Sequence, residues 1–146
     1  MLTGGEEADK LTGGAGKDGL DGDGGGDMHN GGAGCDTLSG GLGRDVMRGQ
    51  NGIDSFVFST ASEMGSGGTR DVIADFETGI DQIDLSAIGA FTFLGASGFT
   101  GTPLEVRVVA AGAANSIVQV DVNGDGVTDG EVFLTGVTGL SASDFV

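Results

Sequence analysis

Several residue types that ordinarily build or cross-link a protein core are scarce in this sequence. Its 146 residues include no tryptophan, no tyrosine and a single cysteine, Cys35. One cysteine excludes an intramolecular disulfide framework. No apolar run approaches the roughly 18 residues that a membrane-spanning helix needs. The opening residues MLTGGEEADK also lack the charged and apolar regions of a cleavable signal peptide. Order in this chain must therefore come from something other than disulfides or a membrane.

Basic residues are scarce as well. Six lysines and arginines stand against 22 aspartates and glutamates, for a net charge of −16. Such a chain has little with which to bind nucleic acid or an anionic membrane surface, so we expect neither partner. The sequence contains no HExxH motif, no Ser-His-Asp set and no P-loop, and we predict no enzymatic activity. The acidic excess favours bound cations or a solvated acidic surface.

Glycine is abundant, with 32 residues, and in the first part of the chain it alternates with aspartate at a fixed interval. Six consecutive nonapeptides cover residues 4–57: GGEEADKLT, GGAGKDGLD, GDGGGDMHN, GGAGCDTLS, GGLGRDVMR and GQNGIDSFV. Position 6 is always aspartate: Asp9, Asp18, Asp27, Asp36, Asp45 and Asp54. Position 1 is always glycine: Gly4, Gly13, Gly22, Gly31, Gly40 and Gly49. Position 8 is apolar in five of six repeats: Leu11, Leu20, His29, Leu38, Met47 and Phe56.

A period of nine with one apolar residue per repeat fits neither a 3.6-residue helix nor a long alternating strand. It fits a coil of tight turns joined by very short strands, each pointing one apolar side chain inward. We expect the glycines at positions 1, 2 and 4 to supply left-handed backbone geometry. Ordering so many glycines and stacking six carboxylates are both unfavourable, so the segment is predicted to be unfolded without a ligand.

Calcium is the ligand that suits this composition. It takes about 6–8 oxygen ligands in flexible geometry, drawn from carboxylates and backbone carbonyls. Mg²⁺ is strictly octahedral and reluctant to shed water. Zn²⁺ prefers histidine and cysteine, and the chain has one of each. The predicted cofactor is therefore Ca²⁺.

The six repeats resemble the RTX (hemolysin-type) calcium-binding nonapeptide GGxGxDxUx. The resemblance implies a parallel β-roll in which two nonapeptides make one coil and an ion lies between repeats n and n+2. Each ion is then held by positions 2, 4 and 6 of one loop and positions 1, 3 and 6 of the other. Two sets of implied ligands are Gly14, Gly16 and Asp18 with Gly31, Ala33 and Asp36, and Gly32, Gly34 and Asp36 with Gly49, Asn51 and Asp54. A third set joins Asp23, Gly25 and Asp27 to Gly40, Leu42 and Asp45. A fourth, Gly5, Glu7 and Asp9 with Gly22, Gly24 and Asp27, departs most from the motif and is expected to be frayed or empty.

Residues 70–88, RDVIADFETGIDQIDLSAI, and the closing LTGVTGLSASDFV are similar to the C-terminal domain of serralysin-type M10 metallopeptidases. This resemblance implies a secreted, extracellular protein that leaves through type I secretion machinery, directed by an uncleaved C-terminal signal. It also implies two parts: a β-roll over residues 1–57 and a C-terminal β domain over residues 58–146.

The second part reads as strands separated by Gly, Ser and Asn turns. Its apolar runs are FVF, DVIADF, QIDL, FTFL, LEVRVVAA, SIVQVDV and EVFLTGV. The predicted fold is all-β: a calcium-bound parallel β-roll followed by a mainly antiparallel sheet or sandwich that caps it. Within it, DVNGDGVTD (residues 121–129) has the oxygen spacing of a calcium loop but lacks the closing glutamate, and we favour a hairpin turn.

Five remaining residues have plain interpretations. His29 is a variant of the inward position and Cys35 a solvent-facing free thiol. Asp81 and Asp84 are expected to cap loops or contact calcium. Glu63 falls at position 6 of a decayed seventh repeat, where it would close the last calcium loop.

The leading hypothesis is a non-catalytic calcium-binding module that folds on calcium after secretion. One alternative is the C-terminal domain of a secreted metallopeptidase or other enzyme. Another is a polysaccharide-binding module like those of alginate epimerases, for which six basic residues are available: Lys10, Lys17, Arg44, Arg48, Arg70 and Arg107. Self-association into homo-oligomers also stays open.

Overall fold

The computed structural model describes residues 1–146 as two β-sheets with one short helix. The first seven strands are β1 (Leu2–Gly5), β2 (Lys10–Ala15), β3 (Gly19–Gly25), β4 (Met28–Ala33), β5 (Thr37–Ser39), β6 (Leu42–Gly43) and β7 (Val46–Asn51). The others are β8 (Ser55–Val57), β9 (Asp71–Ile73), β10 (Gln82–Asp84), β11 (Thr92–Phe93), β12 (Glu105–Ala110), β13 (Ser116–Asp121) and β14 (Gly130–Leu134). Helix α1 spans Ala61–Met64, and 3-10 turns lie at Gly67–Thr69 and Ala142–Asp144. No helix is long and apolar enough to cross a membrane.

Strands in the repeat region alternate between the two sheets. The first sheet has the order β1-β3-β5-β8-β10, with β6 attached to β3, and the second has the order β11-β12-β13-β14-β9-β7-β4-β2. Neighbouring repeat strands are parallel and offset by 18 residues, as in Leu2↔Leu20 and Leu11↔His29. Two nonapeptides therefore make one coil, which confirms the predicted parallel β-roll.

The position-8 side chains fill the interior of the roll. Leu11, Leu20, His29, Leu38, Met47 and Phe56 are all buried. Because successive side chains on a strand point to opposite faces, the residues at positions 7 and 9 face outward. A single stacked column from each sheet supplies all the buried apolar side chains of the repeats.

The C-terminal part joins the roll without a break in either sheet. β12, β13 and β14 pair antiparallel, β9 lies parallel between β14 and β7, and β10 lies parallel to β8. All seven strands predicted after residue 55 are present. One core cluster of 15 residues runs from Leu38 to Val137. The division at residue 57 stays a prediction as a domain boundary, since the sheets and the core continue across it.

Residues 122–129 connect β13 to β14, which pair antiparallel. The loop's own backbone uses its carboxylates: Asp121 accepts from the N–H groups of Gly124 and Gly126. Asp129 accepts from Val122 at 2.7 Å. The hairpin prediction is confirmed, with an eight-residue loop rather than a two-residue turn.

Candidate metal-binding loops

The position-6 aspartates form two stacked columns, one on each side of the roll. In the first column the backbone N–H of Asp9 donates to Asp27 Oδ1 at 2.8 Å and that of Asp27 donates to Asp45 Oδ1 at 2.7 Å. In the second, the N–H of Asp18 donates to Asp36 and that of Asp36 to Asp54, each at 2.8 Å. Each interior carboxylate is thus held by the coil before it.

The columns continue beyond the repeats through two aspartates that repeat counting missed. Asp45 donates its N–H to Asp71 Oδ1 at 2.8 Å, and Asp54 donates to Asp81 Oδ1 at 3.0 Å. The signal that could have found them is the D-x-U part of the motif, present as Asp71-Val72-Ile73 and Asp81-Gln82-Ile83. Their spacing of 26 and 27 residues, in place of 18, hides them from a search for a fixed period.

The second carboxylate oxygen is the unusual feature of these columns. Six Oδ2 atoms are buried and accept no hydrogen bond, those of Asp18, Asp27, Asp36, Asp45, Asp54 and Asp71. A buried polar atom without a partner is costly, and a buried charge more so. Asp81 differs, because its Oδ2 accepts from the N–H of Glu77 at 2.8 Å. The pattern of orphaned oxygens therefore ends at Asp71 in one column and at Asp54 in the other.

Glycine at position 1 makes room for these oxygens. A Cβ at each position-1 glycine would lie 2.9 Å or less from Oδ2 of the aspartate five residues later. The left-handed backbone occurs instead at positions 2 and 4, including Asp23 at φ 67° and Gln50 at φ 73°. The expectation that position 1 is left-handed is wrong: glycine is needed there for close approach, and at positions 2 and 4 for its backbone angles.

The structure stacks the loops that were predicted to share ions. Loop 13–18 lies on loop 31–36, with Gly14 opposite Gly32 and Ala15 opposite Ala33. Loop 31–36 in turn lies on loop 49–54, with Ala33 opposite Asn51. On the other side of the roll, Gly24 and Gly25 lie opposite Leu42 and Gly43. Which backbone carbonyls bind an ion stays a prediction.

Burial among like charges shifts the acidity of these carboxyl groups. Burial, with a contribution from the charge of Asp45, raises the pKa of Asp71 to about 8. Burial raises the pKa of Asp45 to about 6, and the pKa of Asp54 is raised for the same reason. The chain by itself opposes the ionised form at these positions, so a proton or a cation is needed nearby.

The donor set fits a hard cation and not a soft one. No three His, Cys, Asp or Glu side chains converge anywhere in the molecule, so a site built from side chains alone is absent. What each pair of stacked loops offers is one or two carboxylate oxygens together with glycine-rich backbone carbonyls. That is the oxygen-only mixture calcium takes in proteins. The orphaned Oδ2 atoms are the groups it would satisfy.

The other predicted residues have definite places. Glu63 does not close a loop: its carboxylate accepts from the N–H of Ser59 at 2.7 Å, beside α1, and Asp71 occupies the ladder position, so that expectation is wrong. Asp84 caps a turn by accepting from Ser86 at 2.9 Å, as expected. Cys35 is exposed and free.

His29 is fully packed inside the roll. It is 1 % exposed, and neither ring nitrogen has a hydrogen-bond partner. Its register neighbours are Leu11 and Met47. Burial lowers its pKa, which keeps the ring neutral. His29 is therefore a repeat variant in an apolar column and not part of a zinc site, since no other histidine exists in the chain.

The fold and the loops define a class, the RTX-type parallel β-roll with a C-terminal β cap. The chain matches the family model described as Peptidase M10 serralysin C terminal over residues 9–146, and it belongs to that family. A search of curated protein sequences found no match.

Two solved structures are similar to the whole chain. Both are modules of a mannuronan C5-epimerase from Azotobacter vinelandii. The AlgE6R3 subunit is 32% identical, with a TM-score of 0.76, over 98% of this chain and 80% of that one. The AlgE6R2 subunit is 29% identical, with a TM-score of 0.70, over 99% of this chain and 91% of that one.

Proposed function

We propose that this chain is a non-catalytic module whose roll folds around calcium ions. The observation that supports it most is the set of six buried, unpartnered Oδ2 atoms arranged in two columns. An apolar or disulfide-stapled scaffold has no use for such atoms. A divalent cation between stacked loops would satisfy them and neutralise the columns at once.

The residues that would hold the ions are those of the stacked loops. They are Gly14, Gly16 and Asp18 with Gly31, Ala33 and Asp36; Gly32, Gly34 and Asp36 with Gly49, Asn51 and Asp54; and Asp23, Gly25 and Asp27 with Gly40, Leu42 and Asp45. Asp71 extends the first column by one further carboxylate, with the same orphaned oxygen. When bound, calcium supplies positive charge and oxygen coordination. The chain's own glycines and N–H groups hold the carboxylates in place.

A secreted, extracellular protein suits this chemistry, because calcium is scarce inside cells and abundant outside. Type I export would take the unfolded chain, guided by its last residues. In the folded structure two of these residues are tied to the sheets: Asp144 is fully buried, and the N–H of Val146 donates to the Ile83 carbonyl at 3.1 Å. Residues 141–143 and the Val146 side chain are exposed.

Calcium titration of metal-free protein tests the proposal. We expect a gain of β-sheet circular dichroism at millimolar calcium, two or more ions per chain by metal analysis, and little response to magnesium. Since the unfolded chain cannot form the columns, calcium binding and the gain of β-sheet should follow the same titration curve within each column. A β-sheet spectrum unchanged by calcium, with no metal retained, would overturn it.

A second candidate function, binding an acidic polysaccharide, is favoured by the placement of the basic residues. Arg44 and Arg70 line a cavity of about 510 Å³ together with Val72 and Phe133 of the second sheet. Lys10, Arg48 and Arg107 lie on strands of the same sheet. Only Lys17 lies elsewhere, near the outer face of the first sheet. Five of the six basic residues thus belong to one side of a very acidic molecule.

Affinity electrophoresis in an alginate gel tests this second function in calcium. We expect retardation that is reduced by the double substitution Arg44→Ala with Arg48→Ala, both exposed on this side, and is unaffected by Lys17→Ala. Mobility identical with and without alginate would remove polysaccharide binding and leave the calcium proposal intact.

A further inference from the structure

Glu131 of β14 is joined to the segment that leads into Asp71. Its carboxylate Oε2 accepts from the N–H of Gly67 at 3.0 Å and lies 3.4 Å from Arg70 Nε. Its backbone N–H donates to the Gly65 carbonyl at 2.9 Å. Arg70 Nε also donates to the Gly67 carbonyl, which closes the segment on itself. One residue of the cap therefore clamps residues 65–70 at three points.

The Glu131 carboxylate is itself held in place by side chains of the neighbouring strands. Oε1 of Glu131 accepts from Gln119 Nε2 at 2.7 Å, and Gln119 Oε1 accepts from Arg107 Nε at 2.9 Å. These contacts form a row across β14, β13 and β12, whose residues pair directly in register. Glu131 is only 14 % exposed at its side chain, so water competes weakly for its carboxylate. The antiparallel sheet thus transmits its rigidity to the segment before Asp71.

Asp71 has no further repeat beyond it: its three-residue strand β9 is paired on that side with β14, where Asp71 lies opposite Val132. Interior loops are held on both sides by identical coils, whereas residues 65–70 depart from the nonapeptide pattern and carry three glycines, Gly65, Gly67 and Gly68. Two of these have left-handed backbone angles. A glycine-rich segment without a neighbouring coil is costly to order. The carboxylate that clamps it thus restrains the backbone that leads into Asp71.

We propose that Glu131 is a positioning residue for the cation site at Asp71, coupling the C-terminal hairpin to the last loop of the first carboxylate column. The inference rests on the proposed calcium function. Glu131 does not touch the orphaned Oδ2 of Asp71. It acts by holding the backbone that carries Asp71, and removal of such a support typically lowers metal affinity by about 10–100-fold.

The chain offers a matched control in Glu105. This buried carboxylate on β12 of the same sheet also clamps a loop, accepting from the N–H of Thr100 at 2.8 Å and from the Thr100 hydroxyl. That loop leads to no member of the carboxylate columns. A variant at Glu105 reproduces the loss of a clamp from the cap, without the connection to Asp71.

The test is a calcium titration followed by NMR on ¹⁵N-labelled full-length chain. The Asp45 amide, which donates to Asp71, reports the site in question. The Asp36 amide, which donates to Asp54, reports the other column. For Glu131→Ala we expect the calcium midpoint at Asp45 to rise about tenfold or more while that at Asp36 moves less than twofold. Glu105→Ala should shift neither amide selectively.

Equal shifts of both amides in Glu131→Ala, no shift of either, or the same selective shift in Glu105→Ala would each overturn the proposal. If Glu131→Ala does not fold, Glu131→Gln keeps the side-chain volume and an acceptor while removing the charge. Glu131→Gln should then produce a smaller selective shift at Asp45, and the absence of that shift counts against the proposal. Wild-type amides that ignore calcium would instead refute the calcium function itself, so the two failures are distinguishable.

Discussion

The buried carboxylates of the roll and those of the C-terminal cap have opposite hydrogen-bonding environments. In the cap, Glu105, Asp121 and Asp144 are buried, and each accepts a hydrogen bond from a backbone N–H group, that of Thr100, Gly124 and Gly79 respectively. In the roll, Asp18, Asp27, Asp36, Asp45 and Asp54 each keep one buried oxygen without any partner.

The apolar core is divided just as unevenly. Of the 15 residues in the core cluster, only Leu38, Met47 and Phe56 come from the repeats. Burial of apolar surface is the main favourable term in folding. Most of the apolar core thus lies in the cap, whereas the roll has little of it and, under the proposed function, depends on calcium.

Removing calcium should produce the largest difference between the roll and the cap. In excess chelator we expect the amides of β2, β4 and β5 to exchange with solvent far faster than in calcium, while those of β12, β13 and β14 stay protected. The reason is that only the roll loses the counter-charge of its columns. Hydrogen exchange measured by mass spectrometry checks this, and equal protection of the roll with and without calcium would contradict it.

Asp45→Asn should have opposite effects on the stability of the fold with calcium and without it. With calcium bound, loss of a ligand charge should lower the free energy of unfolding by on the order of 3 kcal/mol. In calcium-free buffer the same change removes a buried, unpaired charge and should stabilise the fold by about 1–3 kcal/mol.

Urea unfolding in calcium, and the β-sheet circular dichroism of the roll without calcium, measure the two effects of Asp45→Asn. Asp125→Asn is the matched control, because Asp125 is an exposed loop carboxylate that also accepts a backbone N–H. It should change little in either condition. A destabilising effect of Asp45→Asn in both buffers would argue against a charge that calcium neutralises.

The calcium-free protein should become less stable as pH rises. Burial raises the folded-state pKa of Asp45 to about 6 and of Asp71 to about 8, above the unfolded value of about 3.9. The folded state therefore binds these protons more tightly, and the resulting stability is complete near pH 4 and is lost as pH rises through 6 and then 8.

The β-sheet circular dichroism and the urea midpoint between pH 4.5 and 8.5 in calcium-depleted buffer measure this dependence, because protons at low pH neutralise the same carboxylates that calcium would. His29 acts in the opposite sense, because its lowered pKa makes protonation favour unfolding, so His29→Leu is the cleaner background. Saturating calcium should flatten the profile. A calcium-free midpoint that increases with pH would show that burial does not raise the pKa values of these carboxyl groups.

His29→Leu should produce the smallest effect, a stabilisation of about 1 kcal/mol with or without calcium. Two buried ring nitrogens without partners are replaced by an apolar side chain of the kind found at this position elsewhere in the roll. Thermal unfolding checks it. Met47→Leu, in the next coil of the same column, is the control and should be nearly neutral. A destabilising His29→Leu would mean that the histidine has a partner in solution.

Much of this architecture was readable from the nonapeptides. Their phase places Asp18 over Asp36 and Leu11 beside His29, since a coil of fixed length brings every eighteenth residue into register. Turn chemistry also predicted the hairpin at residues 121–129. The extension to Asp71 could not be read in this way, because an irregular segment of variable length separates it from Asp45. Glu63 lies nine residues after Asp54 and so matches the period. The prediction for it was wrong because the irregular segment forms α1 there, which places Glu63 outside the column.

The sequence by itself determined the β-roll, the left-handed backbone at positions 2 and 4 and the positions of the repeat aspartates, because these depend on local backbone preference and a constant period. Only the tertiary structure decided which oxygens lack partners, that Asp71 rather than Asp81 continues the orphaned pattern, and that Glu131 reaches across to the loop before Asp71. Those features depend on contacts between residues up to 64 positions apart. No local rule specifies such contacts, since they form only when the cap packs against the last coil.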